Sequence, residues 1–137
     1  MGPKKTSLKE ESMPSERFEQ GLAIRRRALG EEYVDRAIRE ADDFSRPLQE
    51  LMTEYAWGTV WARPGLALRE RSLITIAALT ALGRTHELKL HIGAGLRHGL
   101  TREEIREALL HLAVYAGMPA AVDAFRVARE ALQEMER

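Results

Sequence analysis

The chain has 137 residues, and its 21 Lys and Arg balance 21 Asp and Glu to leave no formal net charge at neutral pH, so nothing draws it to nucleic acid or an acidic membrane surface. Aromatic residues make up only 6%, too few for base-stacking platforms. The absence of cysteine excludes disulfides, thiolate nucleophiles, dithiol redox chemistry and Cys-ligated zinc together.

Residues 1–14 are polar, without a sustained period, and are expected to form a flexible arm ahead of a helical domain over 15–137. From Ser15 a helix runs through Phe18, Leu22, Arg25, Arg26 and Leu29 to a stop at Gly30. A second follows through Tyr33, Val34, Ala37, Ile38 and Ala41. Ser45 caps a third, with Pro47 in its first turn and Leu48, Leu51, Met52, Tyr55 and Ala56 on its apolar side. It should end near Arg63-Pro64-Gly65, because the residue before proline is disfavoured in helix. Residues 69–83 become apolar almost all round after a charged start, which predicts the central buried helix. The next helix covers 86–98 and closes at Gly99. Thr101 and Glu104 form a capping box that opens a helix through Ile105, Leu109, Leu112 and Tyr115. Gly117-Met118-Pro119 breaks it and starts the last one. No strand-turn-strand signal occurs, so the expected fold is an all-α, single-domain helical bundle. No apolar run reaches the roughly 18 residues of a membrane span, no signal-peptide core is present, and the expected compartment is the cytoplasm.

The chemistry-bearing feature is the row Glu87, His91 and His98. At about 100° per residue these side chains fall within roughly 40° of one another on a helix, beside an apolar stripe of Leu88, Ile92 and Leu96. A carboxylate next to two imidazoles can move protons near neutral pH; the same row is also compatible with a solvated helix face. Gly93, Ala94 and Gly95 mark close packing or room for a ligand. A metal-binding triad of Glu87, His91 and His98 is the weaker alternative, since no further carboxylate stands at helical spacing.

Other residues carry two readings each. Trp57 and Trp61 share a helix face, as core or interface packing or as a substrate wall. Arg69 and Arg71 open an apolar helix, where an arginine can hold a carboxylate bidentately or pair with the Glu-rich turn at 101–107. His111 lies among leucines and reads as a core or interface histidine, His86 as exposed, and Arg25-Arg26-Arg27 as a solvated face.

Several runs resemble the 4-carboxymuconolactone decarboxylases: Phe18-Glu19-Gln20-Gly21-Leu22, Ala28-Leu29-Gly30-Glu31, and Tyr55-Ala56-Trp57-Gly58-Thr59-Val60-Trp61-Ala62-Arg63-Pro64-Gly65-Leu66. Arg71-Ser72-Leu73-Ile74-Thr75-Ile76-Ala77, Glu87-Leu88, His91, Gly99-Leu100-Thr101 and Tyr115-Ala116-Gly117-Met118-Pro119-Ala120 extend the resemblance over residues 16–135. The wider superfamily includes alkylhydroperoxidase-D-like proteins, whose Cys-x-x-Cys-x-x-x-His motif falls on Arg84, Glu87 and His91, with their upstream acidic residue at Ser72. Without the cysteines, thiol peroxidase chemistry is lost. The chain departs from the decarboxylase pattern after His91, where Gly93 stands in place of an arginine and Arg97-His98 in place of two asparagines.

The resemblance implies cofactor-independent conversion of 4-carboxymuconolactone to 3-oxoadipate enol-lactone in aromatic catabolism, by a homo-oligomer, a trimer or a hexamer. For that reaction this chain's residues offer His91, oriented by Glu87, as general acid, His98 or a Trp indole N–H as oxyanion donor, Arg71 or else Arg97 as carboxylate ligand, and Trp57 and Trp61 as desolvating walls. No metal, flavin or nicotinamide is expected. Another small lactone or diacid as substrate, or a non-catalytic helical oligomer, are the alternatives.

Overall fold

The computed structural model describes residues 15–137; the proposed arm at 1–14 lies outside them. Seven α-helices and one π-helical stretch account for the described elements, and no strand occurs among the described residues. They are α1 (Glu16–Leu29), α2 (Glu31–Arg39), α3 (Arg46–Leu51), the π-helical Met52–Trp61, α4 (Leu68–Leu82), α5 (Thr85–Arg97), α6 (Arg102–Tyr115) and α7 (Met118–Met135). None of the described helices is long and apolar enough to cross a membrane.

The punctuation residues act where expected. Gly30, Gly83, Gly99 and Gly117 all take positive φ, a conformation other residues resist, so each ends a helix cleanly. The Thr101/Glu104 capping box forms in both directions: the Glu104 N–H donates to Thr101 Oγ1 at 3.0 Å and the Thr101 N–H to Glu104 Oε1 at 2.9 Å. Ser45 stands at the N-cap of α3 but makes no side-chain cap bond. Its hydroxyl serves Asp42 instead, donating to Oδ1 and accepting from the Asp42 N–H.

The described residues form two compact units, one made of residues 15–26 with Glu32–Arg63, the other of Arg27–Glu31 with Pro64–Arg137. In the first unit α1 lies directly on the π-helical stretch. A Cβ on Gly21 would collide with the Thr53 carbonyl oxygen, and one on Gly58 with the Arg17 carbonyl oxygen. Only glycine permits backbones that close. The expected third helix is thus correct in extent, but its second half is π-wound. The Thr59 hydroxyl donates back to the Glu54 carbonyl, five residues earlier, at 3.1 Å.

In the second unit α5 is packed by α4 and α7, and α6 by α4 and α7. Ile76, Leu88, Ile92, Leu100, Ile105, Leu109 and Val127 form a common core with the alanines of α7. Gly95 on α5 leaves room for its neighbours: a Cβ there would lie 2.8 Å from Leu100 Cδ1 and 3.2 Å from Ile76 Cδ1 on α4.

One expectation fails within the protomer. Helix α4 is not buried all round: its buried residues are Ser72, Ile76 and Thr80, while Ile74 is 56% and Leu82 71% exposed. Apolar composition marked these positions as covered, and the protomer does not cover them. Arg25-Arg26-Arg27 is also not a uniformly solvated face. Arg25 is 3% exposed because it shares the stripe of Leu22 and Leu29 at helical spacing.

Candidate active site

Helix α5 carries the histidine row and is anchored from below. Leu88, Ile92, Gly93, Ala94 and Gly95 are buried, which fixes the rotation of the helix about its axis. His91 follows as a partly buried side chain, Glu87 and His86 are exposed, and His98 is partly buried at the C-cap. His91 feels both His98 and Glu87: it is lowered to about 4, by burial first and then by the neighbouring His98, while Glu87 pulls the other way. The carboxylate raises the basicity of the imidazole as the spacing suggested, but desolvation is the larger effect. His91 is therefore neutral at neutral pH.

His98 is lowered too, by burial first and then by Arg27 and Arg97. Its Nδ1 lies 2.8 Å from the Oγ of Ser72, a fully buried residue of α4. This contact fixes the imidazole plane. With the serine hydroxyl donating, the ring proton sits on Nε2. Ser72 was legible only as the position where the superfamily carries an acidic residue; its role as partner of His98 needed the α4–α5 packing. Among the described residues no three His, Asp or Glu side chains are grouped so as to hold a metal ion.

The arginines separate clearly. Arg69 is committed to Glu104, with Nη2 2.6 Å from both carboxylate oxygens, which is the salt bridge to the acidic turn. Arg71, two residues on, is partly buried. Arg97 lies across Gly93: a Cβ there would stand 3.3 Å from its Nη1, which donates to the Ala28 carbonyl at 2.9 Å. The small residue at 93 thus makes room for the guanidinium one turn later, at the edge of a groove of about 410 Å³ that Lys89 and Glu134 also line. No described carboxylate forms a salt bridge with Arg97.

Trp57 and Trp61 belong to the first unit and stack, with ring centroids 4.6 Å apart and planes inclined by 28°. Trp57 is buried and Trp61 partly so. His111 is exposed and lies 5.0 Å from the Tyr115 ring, so it is not part of the protomer core. The residue that sequence reasoning missed is Arg25. Its Nη1 donates to Thr53 Oγ1 at 3.0 Å, while its buried Nε has no hydrogen-bond partner. The available signal was its place between Leu22 and Leu29, outweighed by its membership in a run of three arginines.

The profile of the carboxymuconolactone decarboxylase family matches residues 46–130. A 4-carboxymuconolactone decarboxylase of Acinetobacter baylyi is 42% identical over 88% of this chain and 90% of its own length. The chain belongs to this family. Another similar protein is a nitrosuccinic acid decarboxylase of Metarhizium robertsii, 46% identical over 86% of this chain and 82% of its own length. The all-α architecture is that of the family, and the chain is a decarboxylase with a small-molecule substrate.

Proposed function

We propose that this chain decarboxylates 4-carboxymuconolactone to 3-oxoadipate enol-lactone. The observation that carries the proposal is the near full-length likeness to the Acinetobacter enzyme. The chemistry needs no external electron acceptor. The leaving carboxylate is vinylogous to the lactone carbonyl, so the electron pair released with CO2 passes through the ring double bond onto that oxygen. The resulting dienolate takes one proton on carbon. Each turnover therefore consumes a proton, and a residue must supply it.

His91 is the proposed donor, tuned by Glu87. It is neutral in the free protein; a polycarboxylate bound beside it adds negative charge that raises its affinity for a proton, and that proton goes to carbon. His98, held by Ser72, is the proposed donor to the developing oxyanion. Arg71 and Arg97 are proposed carboxylate ligands, and Trp57 and Trp61 proposed apolar substrate contacts. Incubation with the lactone should release one CO2 per enol-lactone formed; a folded, pure protein that leaves the lactone intact overturns the proposal.

The Metarhizium relative favours a second reading. Nitrosuccinic acid is also a small polyacid in which the electron pair freed by decarboxylation has an acceptor, the nitro group. The same CO2 assay with nitrosuccinate separates the two, since the preferred substrate has the higher kcat/KM.

The proposal extends to a homo-oligomer, a trimer or a hexamer. Its support is apolar exposure in the second unit: Ile74 and Leu82 on α4, Val114 and Tyr115 on α6, and Met118 and Val122 on α7 are all more than half exposed. Monomers rarely leave such surface open, and closed symmetric assembly is the common way to cover it. Sedimentation should give a multiple of 15.5 kDa, and Val114→Glu should reduce it; a monomer that turns over normally at micromolar concentration would exclude the assembly.

A further inference from the structure

We propose that Arg25, with Thr53, is a binding site for a carboxylate of the substrate. The inference rests on the reading of the substrate as a small polycarboxylate.

Arg25 sits on α1 one turn after Gly21, the residue whose missing side chain lets α1 touch the π-helical stretch. That contact carries the guanidinium into the interior of the first unit, where it is 3% exposed. A guanidinium has five N–H donors and does not lose its charge in proteins. Here one donor is used, on the neutral hydroxyl of Thr53. The Nε is buried without a partner among the described residues, and Tyr33 is the titratable group among them that acts on the side chain. The described acids closest in sequence are engaged or exposed: Asp35 pairs with Arg26 at 2.7 Å, and Glu16, Glu19, Glu31 and Glu32 lie on the surface.

A buried cation with no anion is costly, and folded chains hold such groups paired or use them. Among the described residues no carboxylate pairs with Arg25, while the fork of a guanidinium matches one bidentately. The surroundings suit an anion with an unsaturated body. Trp57 follows Thr53 by one turn and is stacked on Trp61. Six less buried arginines, Arg26, Arg36, Arg46, Arg69, Arg102 and Arg126, do meet acids.

The role as ligand and a structural role make opposite statements about stability. If Arg25 holds the helices together, its removal weakens the fold. If its charge waits for substrate, Arg25→Met removes an unpaired buried cation, and the free protein melts no lower than the wild type. The experiment is thermal melting of wild type, R25M and R25K with tricarballylate (propane-1,2,3-tricarboxylate), against sodium chloride at matched ionic strength. Tricarballylate should raise the wild-type Tm, leave R25M unmoved and give R25K a reduced shift, since lysine keeps charge without the fork. In turnover, R25M should raise KM on the order of 10²-fold with a smaller effect on kcat, the loss of one buried charge-paired contact. An R25M chain that unfolds, melts well below wild type or keeps the tricarballylate shift overturns the assignment, as does a wild type that shows no shift. A shift lost in R25M from a protein that does not decarboxylate the lactone upholds the carboxylate site and rejects the lactone as substrate.

Discussion

His91→Ala should lower turnover of the preferred substrate by about 10²–10⁴-fold, the range expected when a general acid is removed, while the melting temperature stays close to that of the wild type. His91 is the residue of α5 that combines a titratable ring with burial, and it neighbours both His98 and Glu87. The wild-type pH profile should carry its signature. In the free enzyme the ring binds a proton only near pH 4, so the protonated form needed for donation becomes rarer as pH rises. kcat/KM should therefore fall with rising pH through neutrality. kcat, which reports the substrate complex, should hold to a higher pH because the bound polyanion favours the imidazolium. His91→Ala should abolish that difference, and Glu87→Gln should shift the profile with a smaller loss. A folded His91→Ala protein with near-normal turnover removes the residue from the mechanism.

Acid should destabilise the fold in a defined window. His91 ordinarily titrates near 6.5 and is lowered to about 4 in the folded chain, so between those values the unfolded chain binds the extra proton and the folded chain does not. Stability is then complete above about pH 6.5, falls as pH drops through the window, and levels off below about 4. The loss attributable to His91 is at most about 3 kcal/mol. His98, lowered by burial and by Arg27 and Arg97, contributes with the same sign. Denaturant melts at pH 7 and pH 5 should differ, and His91→Phe should narrow the difference; equal slopes in both proteins would mean that His91 is not desolvated in the fold.

The helix boundaries were readable because a single residue type sets each of them. Glycines with positive φ, the Thr101/Glu104 box and prolines at first turns act over three or four residues and need no tertiary partner. The winding of Met52–Trp61 was not readable, since over ten residues an apolar period cannot distinguish an α from a π ladder. The exposure of Ile74 and Leu82 shows a related limit: apolar composition does not say how much of a helix face its own chain covers. At the site, the row of Glu87, His91 and His98 followed from spacing alone. Desolvation, which decides the charge of His91, depends on what α5 packs against. The pairing of Ser72 with His98 joins residues 26 positions apart, beyond the reach of any local pattern. Arg25 was hidden by its neighbours, because a run of three cations looks solvated although only the first of them lies on the apolar stripe.

The π-wound stretch makes chain length, rather than residue type, the guarded quantity in the first unit. Each of its backbone rings holds one more residue than an α-helical ring. Loss of a single residue between Thr53 and Gly58 would let the ladder rewind as an ordinary helix, turning everything beyond the deletion by about 100° relative to what precedes it. Thr53 could then still face Arg25, or Gly58 could still receive the Arg17 carbonyl, but the two could not hold together. Substitutions here can drift while the count stays fixed, and insertions or deletions among working relatives should fall outside the stretch from Thr53 to Gly58.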